Sequence, residues 1–178
     1  MADLGPLGDV GPCQLNWAAG GTPTAIASIH EGGATFRFAM GFTDVHEAEH
    51  GVTPVDAVFT GFEQVEFEAP FTRITYANLA IIIPGSTQSG GESGNVEVYC
   101  NRVGTPMYDS AQELIVKRIV NGVVDTEQKH WLHLPKSYPV PQFDIPYTLD
   151  GQRAFMVLFK VFPDATSGLT WHIGDLGA

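Results

Sequence analysis

Positive charge is scarce in this sequence. Nine Lys and Arg stand against 20 Asp and Glu, a formal net charge of −11. So acidic a chain repels phosphate, which argues against a protein that grips nucleic acid. The shortage is sharpest between Arg37 and Arg73. No Lys or Arg lies there, while Asp44, Glu47, Glu49, Asp56, Glu63, Glu66 and Glu68 all do. Cysteine is nearly missing too: Cys13 and Cys100 are the two thiols, and no C-x-x-C occurs. That excludes a disulfide framework and leaves free, partly buried thiols as the expectation. Long apolar runs are absent. The longest aliphatic stretch, residues 79–83, is far too short to span a bilayer. The opening "MADLGPLGDVGP" has no basic stretch and no apolar core, so no secretory signal is expected there. The sequence reads as a soluble protein made in the cytosol, with no membrane partner. Walker A, G-x-G-x-x-G and G-x-S-x-G motifs are all missing, as are internal repeats and heptads.

What is present points to strands. The chain has 178 residues, 44% of them apolar, with 20 Gly, 12 Pro and 11 Phe. That suits one domain of many short strands. Residues 1–12 hold three Gly and two Pro and read as a flexible arm before a single domain, 13–178. The cleanest signal is "ATFRFAMGF". Phe36, Phe38, Met40 and Phe42 alternate with Arg37, Ala39 and Gly41, the period of a strand with one apolar face. Residues 43–54 read as a polar loop. "VDAVFTG" and "FEQVEFEA" read as a strand pair or one bent strand broken at Gly61. Val65 and Phe67 share one face, and Gln64, Glu66 and Glu68 the other.

"PFTRITYANLAIII" (70–83) reads as the one helix, with Tyr76, Leu79, Ala80 and Ile83 on a shared face and Pro84-Gly85 as its stop. "GSTQSGGESGN" (85–95) reads as a mobile loop and "VEVYC" (96–100) as a strand. Residues 112–124 read as a hairpin turning at Asn121-Gly122. Further strands are expected at 13–17, 24–31, 130–135, 143–149, 152–162 and 169–175. The fold class is mostly β, a sandwich or open barrel with one flanking α-helix.

One segment matches a catalytic signature literally. His46-Glu47-Ala48-Glu49-His50 is H-E-x-x-H, the zinc motif of metalloproteases. It needs a helix to aim both imidazoles at one metal, and Gly51 and Pro54 interrupt any helix almost at once. The expected reading is an acidic loop, with no metal, no cofactor and no catalytic residue. A small zinc hydrolase using His46, Glu47 and His50 is the alternative. A third reading is a carbohydrate- or surface-binding β-sandwich that uses Trp17, Trp131 or Trp171.

The segment "HGVTPVDAVFTGFEQVEFEAPFTRITYANLAIIIPG" (50–85) resembles the tail tube, or major tail, proteins of long-tailed bacteriophages. It has a Thr-Pro-Val-Asp entry to a strand, a Thr-Gly break, an acidic β segment and a helix. The ending "WLHLPKSYPVP…YTLDGQRAFMVLFKVFPDATSGLTWHIGD" is similar in order, and the likeness covers about three quarters of the chain.

The resemblance implies a virion protein without enzymatic activity. Homohexameric rings would stack into a tube that conducts DNA on ejection, and strands from six subunits would join into one inner β-barrel. Its partners would be other copies, then sheath, hub or terminator proteins, with DNA passing through unbound. It also implies that Gln64, Glu66 and Glu68, with Asp56 and Glu63, face the lumen. Asp44, His46, Glu47, Glu49 and His50 would reach the next ring, where the two histidines would make stacking sensitive to pH. Cys13 and Cys100 would then be placed to form an inter-subunit bridge.

Overall fold

The computed structural model of the protein describes residues 12–18, 24–29, 33–71, 75–90, 94–99, 103–141 and 155–175. The arm up to residue 11, the strand expected at 143–149 and Cys100 lie outside the described residues.

In chain order the strands are β1 (Cys13–Trp17), β2 (Thr24–Ile29), β3 (Thr35–His46) and β4 (Pro54–Phe71), followed by the helix α1 (Tyr76–Ile82). Then come β5 (Ser86–Ser89), β6 (Asn95–Val98), β7 (Gln112–Val120) and β8 (Val123–Val124). The last are β9 (Leu132–Pro141), β10 (Phe155–Phe162) and β11 (His172–Ile173). Every pairing among them is antiparallel. The main sheet runs β2-β1-β7-β9-β10-β4-β3, with β8 added to β7 and β11 to β9, while β5 and β6 form a separate ribbon. The expected mostly-β domain with one helix is present. It is a single open sheet rather than two stacked ones, and it does not close into a barrel. The sheet curls until β2 lies against β4, although four strands separate them in the order.

Alternation decides what the curl encloses. Leu15 and Trp17 on β1, Leu114 on β7, Leu134 on β9, Phe159 on β10 and Phe67, Ala69 and Phe71 on β4 all point inward and are buried. The pairings Phe36–Phe67, Phe67–Phe159 and Phe159–Pro139 run this face straight across four strands. Phe159 is fully buried, so truncating it to Ala would cost about 3–5 kcal/mol. Ser137 and Thr170 are buried polar residues, and the Ser137 hydroxyl donates to the Gln112 carbonyl at 2.9 Å.

Helix α1 starts where Thr75 Oγ1 accepts from the Asn78 amide at 3.2 Å, an N-cap. Asn78 Nδ2 then donates to the Ile26 carbonyl at 2.6 Å, tying the helix to β2. The hairpin at 112–124 is as expected. Asn121 (φ 52°) and Gly122 (φ 78°) both sit at positive φ, and Val120 pairs with Val123. This is the two-residue turn whose twist matches its strands.

Several boundaries differ from the sequence reading. Strand β4 runs through Phe71, so the helix is shorter than 70–83. Its fully buried residue is Ile82, while Tyr76 at its start is exposed. A seven-residue helix rests on the core through its last turn, so the full periodic stripe is not needed. The loop expected at 43–54 shrinks to residues 47–53, because β3 keeps its ladder through His46. The segment 85–95 contains β5, paired along its length with β6, rather than only a loop. The strand expected at 130–135 starts at Leu132 and runs on to Pro141.

Candidate assembly surface

Strand β10 pairs with β4 only over residues 66–71 of β4. Beyond that point β3 and β4 continue as a two-stranded ribbon with no strand on its far side among the described residues. The apolar face of β3 does not stop where the core stops. Phe36 and Phe38 pack edge-on against Trp171, with ring centroids 5.4 and 5.3 Å away. Phe38 contacts Phe62 at 5.1 Å, Phe62 contacts Phe59 at 5.6 Å, and Phe59 contacts Phe42 at 5.9 Å. Such offset and edge contacts are favourable arrangements of aromatic quadrupoles. Yet the outer rings are left in water: Phe42, Phe59 and Phe62 are 55%, 50% and 49% exposed. Toward the tip the same face of β3 gives way to Asp44 and His46.

The other face of the ribbon is polar. Gln64, Glu66 and Glu68 share it, as the alternation predicts, and Gln64 Nε2 donates to Glu66 Oε2 at 2.7 Å. Asp56 pairs with Val45, which lies on the same side of β3 as Arg37 and Ala39. Glu63 reaches this face through a bulge. Three irregularities leave Val55, Thr60 and Glu63 of β4 without a partner residue on β3. At Gly41 an added Cβ would stand 2.7 Å from Thr60 Oγ1 and 2.9 Å from Glu63 Cγ. Glycine is what lets those two side chains fold over the ribbon there. The five candidates Asp56, Glu63, Gln64, Glu66 and Glu68 therefore occupy one surface.

That surface is not purely acidic, because neighbouring strands bring cations to it. Arg37 hydrogen-bonds Glu68, and Lys160 of β10 pairs directly with Glu66. Neither could be placed from the acid-only run 38–72, since strand register is a non-local property. Four carboxylates against two cations still leave the face negative.

At the tip, residues 48–50 form one 3-10 turn, and Gly51 (φ 63°) reverses the chain. His50 Nδ1 lies 3.5 Å from Glu47 Oε2, and both side chains are exposed, as are those of Asp44, His46 and Glu49. His46 ends an extended strand while His50 closes the turn, so H-E-x-x-H here is not the helix that a zinc site on this motif requires. Among the described residues no group of three or more His, Cys, Asp or Glu converges as metal ligands would.

Cys13, the other notable candidate, is buried on β1 against the core, and burial pushes its thiol up to about 11. The bridge to Cys100 that the resemblance implies involves a residue outside the described set.

Two polar clusters elsewhere were not singled out in the sequence. Asp125 accepts from Arg118 and lies 2.7 Å from His130 Nδ1, and its main-chain carbonyl accepts from Trp131 Nε1 at 3.0 Å. On the neighbouring strands, His133 and His172 stack with centroids 4.5 Å apart and planes 11° from parallel. No local motif announces either cluster: the first joins β7 to the residue after β8 and to residues 130 and 131, and the second joins β9 to β11. No helix of the described residues is long and apolar enough to cross a membrane.

A scan of the chain against protein-family models finds no match, and a search of curated proteins finds none either.

Proposed function

We propose that this chain is a self-assembling structural subunit of the phage tail tube kind, whose copies join through the β3/β4 ribbon into rings and then a hollow tube. The observation that carries this reading is the ribbon itself. It projects past the rest of the sheet with an aromatic stripe on one face and a net negative surface on the other. Apolar rings half in water favour a partner that removes them from it. Among the described residues the sheet also ends in two unpaired edges, β2 and β3. Unpaired edges invite strand addition. A head-to-tail contact that joins one edge to the other closes into a ring when the rotation per copy divides a full turn.

In this reading six copies make the ring. The face bearing Asp56, Glu63, Gln64, Glu66 and Glu68 lines the lumen, and a negative wall lets a DNA duplex pass without adhering. The tip, with Asp44, His46, Glu47, Glu49 and His50, contacts the next ring. Sheath, hub or terminator proteins would bind the outside and ends of such a tube, and the assembled protein would reside in the virion. Catalysis has no part in this role, and no residue is assigned to it.

Negative-stain electron microscopy of the concentrated protein tests the proposal. Hollow tubes or stacked rings are the expected result. A species that stays monomeric at high concentration, across salt and temperature, would overturn it.

A further inference from the structure

Among the described residues, strand β11 is paired to the body over a short length. Two residue pairs, His172–His133 and Ile173–Leu132, make up its pairing with β9. One further main-chain bond follows, from the Gly174 amide to the Trp131 carbonyl at 3.0 Å. Among its side-chain contacts is the imidazole stack of His133 and His172. The residue just before this strand, Trp171, is the ring that covers Phe36 and Phe38 at the base of the aromatic stripe. The attachment of β11 therefore sets whether the inner end of the stripe is covered.

We propose that the His133–His172 stack is an acid-operated latch: neutral rings hold β11 and Trp171 in place, and protonation releases them and bares Phe36 and Phe38. The inference stands independently of tube assembly, because every contact it uses lies within one copy.

The charges around the stack explain why it opens in acid. From β7, Glu113 Oε1 lies 3.2 Å from His133 Nδ1 and brings a carboxylate to that ring. Farther along β7, Lys117 holds its ammonium 3.8 Å over the Trp131 ring, adding positive charge on the Trp131 side of His133. From the C-terminal side Asp175 attracts a proton to His172, but more weakly than burial and the His133 charge oppose it. His172 Nδ1 is buried and has no hydrogen-bond partner among the described residues, so a proton placed there would be left unsolvated. A second positive charge on a ring stacked face to face with a charged one is repelled at contact distance.

Burial, with the His133 charge, lowers the proton affinity of His172 in the closed state. Its folded pKa is depressed, so the latch is fully stable above the ordinary histidine value of about 6.5. It weakens as pH falls below that value toward the folded pKa. Over that window each pH unit raises the open-to-closed ratio by up to about tenfold per proton taken up.

Hydrogen exchange read by mass spectrometry, corrected for intrinsic rates, tests this at pH 7.5 and 5.5. The expected result is a loss of protection approaching tenfold for the peptide covering residues 171–175. A fluorescent dye for apolar surface should bind more strongly at the lower pH. His172→Phe keeps a stacking ring that cannot titrate, and both readouts should become insensitive to pH. Unchanged protection in the unsubstituted protein, or an equal loss in His172→Phe, overturns the latch. If that variant does not fold, proton NMR of the unsubstituted protein decides. A His172 ring titrating clearly below 6.5 supports the latch, and one titrating at or above it overturns it.

Discussion

The rings of Phe38 and Phe62 meet 5.1 Å apart at the point where the hydrophobic core of the domain gives way to solvent. Inward from this pair, Phe36 and Trp171 are partly buried against the core. Outward, Phe59 and Phe42 continue the same contact chain with half of their surface in water. A face built this way has two jobs, one in the fold and one beyond it, and substitutions on either side of the pair should separate them.

Phe59→Ser and Phe42→Ser should each cost the fold only about 1 kcal/mol, because each gives up half-exposed aromatic contacts rather than core packing. Association should fail instead. Thermal melts within a few degrees of the unsubstituted protein, together with loss of high-mass species in sedimentation velocity, are the expected pair of results. Association that persists in the double variant would remove the stripe from the interface.

Gly41→Ala should cost about 1 kcal/mol through its close approach to Thr60 Oγ1 and Glu63 Cγ, as overpacking does. Thr60→Ala removes one of the two atoms in the way and should recover part of the loss. Urea unfolding of the two single variants and the double variant checks this, with non-additivity as the signature.

Asp125→Asn should destabilise the protein by about 2–3 kcal/mol, because it leaves Arg118 and His130 in a mostly buried site without their carboxylate. Burial alone would raise the Asp125 pKa. Hydrogen bonds from the Glu127 amide, Arg118 and His130, with the Arg118 charge, outweigh it and hold the group down at about 2. A depressed carboxylate stabilises the fold fully above its unfolded value of 3.8, and that contribution is lost as pH falls toward 2. Acid titration of stability should therefore show a fall between about pH 4 and 2 that Asp125→Asn lacks.

Cys13 should resist alkylation. Its thiol is buried and raised to about 11, so very little thiolate exists near neutral pH and the reagent has poor access to it. In a Cys100→Ser background, modification at pH 8 should proceed only as fast as the native state opens, and at once in denaturant. Rapid labelling under native conditions would show that β1 is more open than its place in the core implies. Non-reducing gels of assembled protein test the Cys13–Cys100 bridge separately.

Much of this was legible from periodicity. The alternation at Phe36, Phe38, Met40 and Phe42 marks β3 and its apolar face, and Gln64, Glu66 and Glu68 mark the opposite face of β4. Asn121-Gly122 marks its turn because few residues tolerate two successive positive φ values. The illegible part is whatever depends on register between distant segments. Lys160 beside Glu66, Trp171 against Phe36 and His133 against His172 each join positions far apart in the chain. The start of the loop, after His46 rather than at residue 43, was hidden for a different reason. Asp44 and His46 are polar because their stretch of ribbon stands in solvent, and polarity alone cannot tell an exposed strand from a loop.

The three bulges of the ribbon fall on one strand. Between the pairs Thr35–Glu68 and His46–Pro54, β4 spends three more residues than β3 does. Two rails of unequal length tied rung by rung cannot run straight, and each surplus residue adds a bend and extra twist. The ribbon's curvature is thus set by its own covalent chain before any neighbour touches it. A copy that joins an assembly brings its arc ready-made, and the cost of bending is met at folding rather than at docking.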